Sequence, residues 1–337
     1  MEYIGLDIGG TKCAVCIGTA EGGSVSLIDK SKFATGEYHN PYDVLDALFQ
    51  CAKSLLAAHG KTFFDIAGIG ISCGGPLDAA AGVILSPPNL PGWDHIEIVS
   101  YFEKRCGVRT YLQNDANACA VAEWKFGAGY DPQTQKSVDH MIFCTFGTGL
   151  GAGLILGGRL YSGASDMAGE VGHLRLVPET QDAANPLPIG YGKRGSAEGF
   201  CSGGGIAQLG RFAVGDALAR GETPLLWEAA EHNPDAITAK LIGDLAERGD
   251  SLSVSIYEQC GEHLGQTLSI LVDLLNPSLI VLGGVFMRAK HLLRPAMERV
   301  LAKESLSFAL RACKIVPAGL GERIGDYAAL SVAVGDY

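Results

Sequence analysis

The sequence predicts an α/β protein with two lobes, each a mixed sheet flanked by helices, and three observations support this. The chain has 337 residues, which suits two domains better than one core. Hydrophobic residues make up 47% of it, as in well-buried globular proteins. The predicted order of elements also repeats. Both halves begin with a strand, a glycine turn and a second strand, and both continue with helices and strands.

The first half opens with "YIGLDIGG" and "TKCAVCIGT", which predict two strands joined by a glycine turn. "SLIDKSKFAT" predicts a third strand. A helix is expected after Asn40, because Asn is a favoured N-cap and Pro41 suits the first turn. Further strands are predicted in "IAGIGIS" and "RTYLQ", with helices in "HIEIVSYFEKRCG" and in the later part of "NDANACAVAEWKFG".

The second half repeats the opening in "HMIFCTFGTGLGAGLILGGRLYSG". Helices are predicted over about residues 205 to 275. A strand "SLIVLGG", a helix from about Met287 to Lys303, a strand "ACKIVPA" and a closing helix "DYAALSVAV" follow.

Charge and hydropathy exclude several classes of protein. A net charge of −11 with no basic run argues against a nucleic-acid partner. The start of the chain shows no signal peptide, and Asp273, Asn276 and Pro277 interrupt its longest apolar run, which argues against a membrane span. The ten cysteines, scattered in apolar contexts, predict reduced thiols, so a cytoplasmic protein is expected.

Two glycine hairpins can offer backbone N–H groups to phosphates. In "LDIGGTKCA", Asp7 ends a strand and could hold Mg²⁺ through water, while the turn contains Gly9, Gly10, Thr11 and Lys12. An ordinary tight hairpin is the alternative. In "TFGTGLGAGLIL", a dinucleotide-binding fingerprint would have to open a helix, yet a β-forming segment follows. We therefore expect a second phosphate hairpin there.

"LQNDANACA" places Asn114, Asp115 and Asn117 where a strand meets a helix. A carboxylate at such a strand end can accept the proton of a hydroxyl that attacks phosphorus. Helix capping is the structural alternative, but three such residues in four exceed what a cap needs.

In this order, the motifs resemble those of the ROK family (repressors, open reading frames, kinases). The similarity is to its sugar-kinase branch, within the actin-like ATPase or ribonuclease H-like superfamily. It spans nearly the whole chain, through "GLDIGGTK", "GISCGGPLD", "LSPPNLPGW", "LQNDANA", "FGTGLGAG", "AGEVGH" and "LLNPSLIVLGG".

The resemblance implies a two-lobed actin-like ATPase fold that closes on a sugar, with ATP held largely by the second lobe. It implies an N-terminal lobe of residues 1–116, completed by a C-terminal helix at 321–337. The C-terminal lobe, 117–320, would contain the nucleotide-binding hairpin and dimerisation helices. A homodimer is the family's habit.

The resemblance also assigns roles to residues, with Asp115 as the general base. The implied sugar-binding residues are Gly74, Gly75, Asn89, Asn114, Asp115, Glu170, His173 and Glu198. The implied ATP-binding residues are Asp7, Gly9, Gly10, Thr11, Lys12, Thr145, Gly147, Thr148, Gly149, Gly283 and Gly284, with Mg²⁺ bound beside ATP through Asp7.

The segment "IGYGKRGSAE" departs from the family. Many ROK proteins have C-x-C-G-x-x-G-C-x-E here, and three of those cysteines join a histidine on a structural zinc. This chain keeps the frame up to Glu198, but has Ile189, Tyr191 and Ser196 at the cysteine positions. We therefore expect no structural zinc, and His173 becomes the least secure of the implied sugar ligands.

The resemblance implies an ATP-dependent hexose kinase acting on the 6-OH of glucose, the family's default substrate. N-acetylmannosamine, fructose and allose stay open as substrates. A non-catalytic sugar sensor is the alternative from another class. A repressor is disfavoured, because family repressors carry a helix-turn-helix domain before the first hairpin, and this chain begins at that hairpin.

Overall fold

The computed structural model describes residues 1–21, 24–179, 186–335 and 337. The chain forms two compact units. Unit 1 consists of Met1–Phe143, Ala152–Gly169 and Ala318–Tyr337, and unit 2 of Cys144–Gly151 and Glu170–Pro317. The lobes predicted from the sequence, 1–116 with the helix at 321–337 and 117–320, stay predictions.

The first part of the chain alternates strands and helices. Its elements are β1 (Glu2–Ile8), β2 (Lys12–Glu21), β3 (Ser24–Ala34), α1 (Pro41–Ala58), β4 (Gly68–Cys73), β5 (Leu77–Asp78), β6 (Val83–Ile84), α2 (Ile98–Cys106), β7 (Thr110–Asn114), α3 (Asp115–Phe126), β8 (Tyr130–Asp131) and β9 (Lys136–Ser137). Five of these strands form a mixed sheet in the order β3-β2-β1-β4-β7. In it, β1, β4 and β7 are parallel, and β2 is antiparallel to both neighbours.

The remaining elements include most of the helices. They are β10 (His140–Phe146), β11 (Leu150–Leu156), β12 (Leu160–Tyr161), β13 (Ile189–Gly190), β14 (Lys193–Arg194), α4 (Ala197–Phe200), α5 (Gly203–Ala219), α6 (Leu225–Ala229), α7 (Ala239–Ala246), α8 (Ser251–Leu275), β15 (Leu279–Leu282), α9 (Val285–Glu304), α10 (Ser307–Ala312), β16 (Lys314–Pro317) and α11 (Ile324–Val334). A second five-stranded sheet has the order β12-β11-β10-β15-β16.

Local sequence explains where several helices begin and end. The Asn40 side chain accepts the Tyr42 N–H and Pro41 occupies the first turn of α1, which confirms the predicted cap. In unit 2, Asp250 caps α8 through the Ser253 N–H. Asn276 ends α8 in the left-handed conformation, which Asn tolerates better than most residues.

Helix α11 packs on the sheet of unit 1 against glycines. A Cβ at Gly70 would lie 2.1 Å from the Ala329 carbonyl oxygen, and one at Gly5 would lie 2.9 Å from the Ala329 Cβ. Glycine at both positions lets the helix axis approach β1 and β4 closely. The opposite face of the sheet packs against the buried side chains of α1 and α2. Cys13 belongs to that second core and Cys16 to the α11 side, as expected for residues three apart in a strand.

Within the described parts of the chain, no helix is both long enough and apolar enough to cross a bilayer.

Candidate functional site

Three parallel strands of unit 1 end side by side. Ile8, Cys73 and Asn114 stand in register on β1, β4 and β7. The segments that leave these strands therefore start from one edge of the sheet. They contain the first glycine hairpin, the pair Gly74–Gly75 and the start of α3. Ligands of α/β proteins are commonly bound at this edge.

Asn114 and Asp115 begin helix α3. Asn114 is its N-cap and accepts the Ala116 N–H at 3.0 Å, so the capping alternative holds for this residue. Asp115 accepts the same N–H at 2.7 Å and is exposed to solvent. The Asn114 and Asp115 oxygens therefore share the Ala116 N–H, and Asp115 itself stays exposed to a ligand.

The carboxyl groups of Asp7 and Asp115 both have a raised pKa. Protein packed around Asp115 raises the pKa of that carboxyl, although the residue is exposed. Burial, together with the charges of Asp115 and Asp326, raises the pKa of Asp7 to about 6. Lys30 and Lys12 partly offset this rise in the pKa of Asp7. Two carboxylates of raised pKa are typical of a site for proton transfer or cation binding.

Asn89 contacts two of the predicted glycines. A Cβ at Gly74 would lie 3.3 Å from the Asn89 Nδ2, and a Cβ at Gly10 would lie 2.2 Å from the Asn89 carbonyl oxygen. Similarly, a Cβ at Gly75 would lie 3.1 Å from the Asn114 Nδ2. Unit 1 thus brings a set of predicted residues together, called here the unit 1 cluster: Asp7, Gly10, Gly74, Gly75, Asn89, Asn114 and Asp115.

Sequence reasoning missed the support of the first hairpin. The Thr35 hydroxyl donates to the Gly9 carbonyl at 2.7 Å, and the Thr35 N–H donates to the Thr11 carbonyl at 3.0 Å. Thr11 and Lys12 are exposed beside it. A cavity of about 340 Å³ also opens next to Asp7, lined by Lys12, Lys30, Lys32, Glu322 and Asp326 among others. Thr35 follows β3 directly and is buried, and a buried threonine hydroxyl needs a hydrogen-bond partner.

The second hairpin joins β10 to β11. The Thr145 hydroxyl accepts the Gly151 N–H at 2.9 Å and so holds the two strands together. The tip residues Gly147 and Thr148 are exposed. At the tip, the Gly147 carbonyl accepts the Gly203 N–H at 2.8 Å. The predicted role of Thr145 as a phosphate ligand stays a prediction, and its hydroxyl has a structural use.

Glu198 and the glycine pair after β15 lie against this second hairpin. The Oε2 of Glu198 accepts the Leu150 N–H at 3.0 Å. Gly284 has a φ of +59°, and a Cβ there would lie 1.9 Å from the Phe146 carbonyl oxygen. Gly283 donates its N–H to the Cys144 carbonyl at 3.0 Å. Unit 2 thus has its own set of predicted residues, the unit 2 cluster: Thr145, Gly147, Thr148, Gly149, Glu198, Gly283 and Gly284.

Side-chain hydrogen bonds support the segment that carries Glu198. Ser196 caps α4 by accepting the Gly199 N–H at 3.1 Å, and its hydroxyl lies 3.3 Å from the Gly190 carbonyl. The Gln208 side chain accepts the Ile189 N–H at 2.9 Å and donates to the Ile189 carbonyl at 2.8 Å.

His173 belongs to the same segment of unit 2. Its ring meets the ring of Tyr191 edge-on at 4.8 Å between centroids, and its carbonyl accepts the Lys193 ammonium at 2.6 Å. Glu170, three residues earlier, is exposed and accepts the His173 N–H through its own carbonyl at 3.1 Å.

The residues at the cysteine positions do not suit zinc. Ile189 offers no side-chain donor atom, and the Ser196 hydroxyl is committed to two backbone groups. Among residues 1–21, 24–179, 186–335 and 337, no group of three His, Cys, Asp or Glu side chains is arranged to hold a metal ion. The absence of a structural zinc stays a prediction.

Comparison with known proteins gives one family. The family model described as "ROK family" matches residues 3–334. A glucokinase of Streptomyces coelicolor is 30% identical over 281 residues, which cover 83% of this chain and 81% of that protein. The transcriptional dual regulator NagC of Escherichia coli is 26% identical over 323 residues, covering 92% of this chain and 73% of that one.

A solved structure is similar over the full length. It is a ROK family glucokinase of Streptomyces griseus in complex with glucose and AMPPNP, with a TM-score of 0.75, 28% identity and coverage of 100% of both chains. With mixed sheets flanked by helices, the chain has the actin-like ATPase fold, as predicted.

Proposed function

Because the chain belongs to the ROK family, we propose that it is an ATP-dependent hexose kinase that phosphorylates a sugar hydroxyl, with glucose at its 6-OH as the first candidate. The observation that carries this proposal is the unit 1 cluster. There, an accessible carboxylate of raised pKa, Asp115, lies at a strand edge beside a second one, Asp7. Relatives in the family include glucokinases.

Asp115 is the proposed general base. A sugar hydroxyl attacks the γ-phosphorus of ATP, and its proton passes to the Asp115 carboxylate as the bond to phosphorus forms. Because surrounding protein raises the pKa of Asp115, the carboxylate is a better proton acceptor than a solvated one. Asn89 and Asn114, in the same cluster, have side-chain amides that can both donate to and accept from sugar hydroxyls.

The proposed sugar ligands in unit 2 are Glu170, His173 and Glu198. Both hairpins are proposed to bind phosphates through backbone N–H groups, since their tips are exposed and rich in glycine. Mg²⁺ accompanying ATP fits Asp7, because a divalent cation would stabilise the charged form that burial and the charges of Asp115 and Asp326 disfavour. When bound, the ion would neutralise charge on the phosphates.

The first experiment is a panel of hexoses with Mg-ATP, scored by release of ADP. Glucose, N-acetylmannosamine, fructose and allose are the informative members, because the proposal leaves the substrate open among them. ADP release with at least one sugar supports the proposal. Silence across the panel would refute it.

Replacing Asp115 by Asn then tests the base. An amide keeps the shape but cannot take up the proton, so kcat should fall by about 10²–10⁴-fold while the KM for sugar changes little. The matched control is Asp43→Asn, which alters an exposed carboxylate in the first turn of α1 and should keep full activity. Activity that survives in Asp115→Asn would refute the assignment.

A sugar-responsive regulator is the second candidate, favoured by the relationship to NagC. It predicts sugar binding without ADP release. Calorimetric binding of a hexose by a protein that is silent in the kinase assay would select it.

The proposal includes three further features of the protein. We place the enzyme in the cytoplasm, expect a homodimer, and expect no nucleic-acid partner, given the net charge of −11. Size-exclusion chromatography with light scattering tests the dimer.

A further inference from the structure

The Glu198 side chain occupies a space made by glycines. A Cβ at Gly190 would lie 2.6 Å from the Glu198 Cβ, and one at Gly172 would lie 3.1 Å from it. At the other end of the side chain, a Cβ at Gly149 would lie 2.6 Å from the Glu198 Oε2. Larger residues at these positions would displace the side chain, so the space that it occupies depends on these glycines.

The two carboxylate oxygens of Glu198 differ in their contacts. Oε2 accepts the N–H of Leu150, which is the first residue of β11 and is buried. Within the described part of the chain, Oε1 has no hydrogen-bond donor. Oε2 is therefore hydrogen-bonded to the second hairpin, whereas Oε1 can accept a hydrogen bond from a ligand hydroxyl.

The hairpin has few other supports near its tip. The Gly147 N–H donates to the Gly149 carbonyl at 3.0 Å, and the Gly203 N–H donates to the Gly147 carbonyl at 2.8 Å. Loss of the Glu198 carboxylate would leave the Leu150 N–H buried without a partner, which is costly for a backbone donor. The position of the Gly147–Gly149 tip thus depends on Glu198.

We propose that Glu198 couples sugar binding to nucleotide binding, because its carboxylate holds the second hairpin with Oε2 and the sugar with Oε1. The inference rests on the proposed function for the ligands themselves. A sugar hydroxyl on Oε1 fixes the carboxylate, and a fixed carboxylate holds the hairpin in place for phosphate. By linkage, each ligand raises the affinity for the other by the same factor, about tenfold for a coupling of ordinary size. Glu198 is in this sense a positioning residue for the hairpin.

The first test is a double-mutant cycle on nucleotide affinity. The dissociation constant of Mg-AMPPNP is measured by calorimetry, without sugar, for the wild type, Gly149→Ala, Glu198→Ala and the double variant. We expect each single change to weaken binding by about tenfold, because one displaces the carboxylate and the other removes it. We expect the double variant to bind no worse than Glu198→Ala, since the added methyl then has room. If the two losses of nucleotide affinity multiply in the double variant, the two residues act independently and the proposal is overturned.

The second test measures the coupling itself. The dissociation constant of the preferred hexose is determined with and without Mg-AMPPNP. The wild type should show the tenfold enhancement, and Glu198→Asp should lose it, because a side chain shorter by one methylene cannot reach both partners. Glu198→Gln should keep its nucleotide affinity, since the amide oxygen can still accept the Leu150 N–H. An unchanged enhancement in Glu198→Asp would overturn the proposal.

Glu179→Ala is the matched control, because it removes an exposed carboxylate of unit 2 that pairs with Arg175. It should leave both affinities and their coupling unchanged. A wild type that binds neither AMPPNP nor sugar would refute the proposed function, whereas binding of both without coupling would refute only the role of Glu198.

Discussion

Each of the two glycine hairpins is a glycine turn between two strands, but the atoms that lie against the two turns differ in kind. In unit 1, Gly10 lies against Asn89, and the nearest atom to its missing Cβ is a backbone carbonyl oxygen at 2.2 Å. In unit 2, Gly149 lies against Glu198, and the nearest atom is a side-chain carboxylate oxygen at 2.6 Å. In each unit, a predicted phosphate hairpin thus contacts a predicted sugar ligand.

The kind of atom that lies against each hairpin affects how far that hairpin can move when a ligand binds. A backbone carbonyl moves only with its whole segment, whereas a carboxylate moves by side-chain rotation. We therefore expect the first hairpin to be a fixed reference and the second to respond to what Glu198 binds. The predictions below test this contrast, from the largest expected effect to the smallest.

Gly10→Ala should cause the largest loss. The added methyl would overlap the Asn89 carbonyl oxygen, so two backbone segments would have to separate. We expect kcat/KM to fall by more than about 100-fold, as for misplacement of substrate-positioning groups. Adding Asn89→Ala should not restore activity, because the collision is with the backbone. If Asn89→Ala restored activity, the collision at Gly10 would involve a side chain, as at Gly149, and the proposed difference between the two hairpins would be wrong.

Gly147→Ala should have a smaller and more selective effect. Apart from the two chain neighbours of Gly147, no atom of the described residues would lie within 4 Å of an added Cβ, so folding should be unaffected. If phosphate approaches this backbone closely, the methyl should raise the KM for ATP by about tenfold and leave the melting temperature unchanged. A fall in melting temperature would show that the tip is packed and not open to a ligand.

Ser196→Ala and Gln208→Ala test the hydrogen bonds that support the segment of Glu198. Each removes hydrogen bonds that hold the segment, so we expect the KM for sugar to rise about fivefold, in line with the loss of a helix cap. The exposed Arg220→Ala, whose side chain pairs with Glu222, is the control. Dialysis against a chelator, with Mg²⁺ then restored, should change nothing. Loss of activity after this treatment would contradict the prediction that the segment needs no structural zinc.

Asp7→Asn should make the protein more stable and less active. The pKa of Asp7 is raised to about 6 in the folded state. The folded state therefore binds this proton more tightly than the unfolded state, so ionisation lowers stability as pH rises from about 4 to about 6. At pH 7 the variant should gain roughly 3 kcal/mol, which is several degrees in melting temperature.

The gain from Asp7→Asn should vanish below pH 4, where both proteins are neutral at this position. Melting curves at pH 4 and pH 7 measure it. An equal gain at both pH values would show that charge is not the cause.

The features that could be predicted from the sequence are those that depend on residues close together in the chain. The glycine turns, the Asn40 cap and the polar residues after β7 each lie within a few neighbours, and the structure has elements where these signals predicted them. The contacts that support the clusters are between distant positions. Glu198 reaches Leu150 across 48 residues, and Thr35 reaches Gly9 across 26.

Other features had no sequence signal at all. Short elements such as β5, β8 and α10 were missed because they are too short to show a hydrophobic period. In the sequence, nothing distinguishes Gln208 as a residue of α5. Only the structure shows that the oxygen and the nitrogen of its side-chain amide both form hydrogen bonds with the Ile189 backbone.

The glycine-lined face under α11 bears on the order in which the units can fold during synthesis. Unit 1 needs Ala318–Tyr337, which the ribosome makes after all of unit 2. Until α11 emerges, the sheet of unit 1 lacks the helix that covers Gly5 and Gly70. Unit 2 has all of its residues once Pro317 is made. The unit that is synthesised first is thus the one that finishes last, and during that interval one face of its sheet is uncovered.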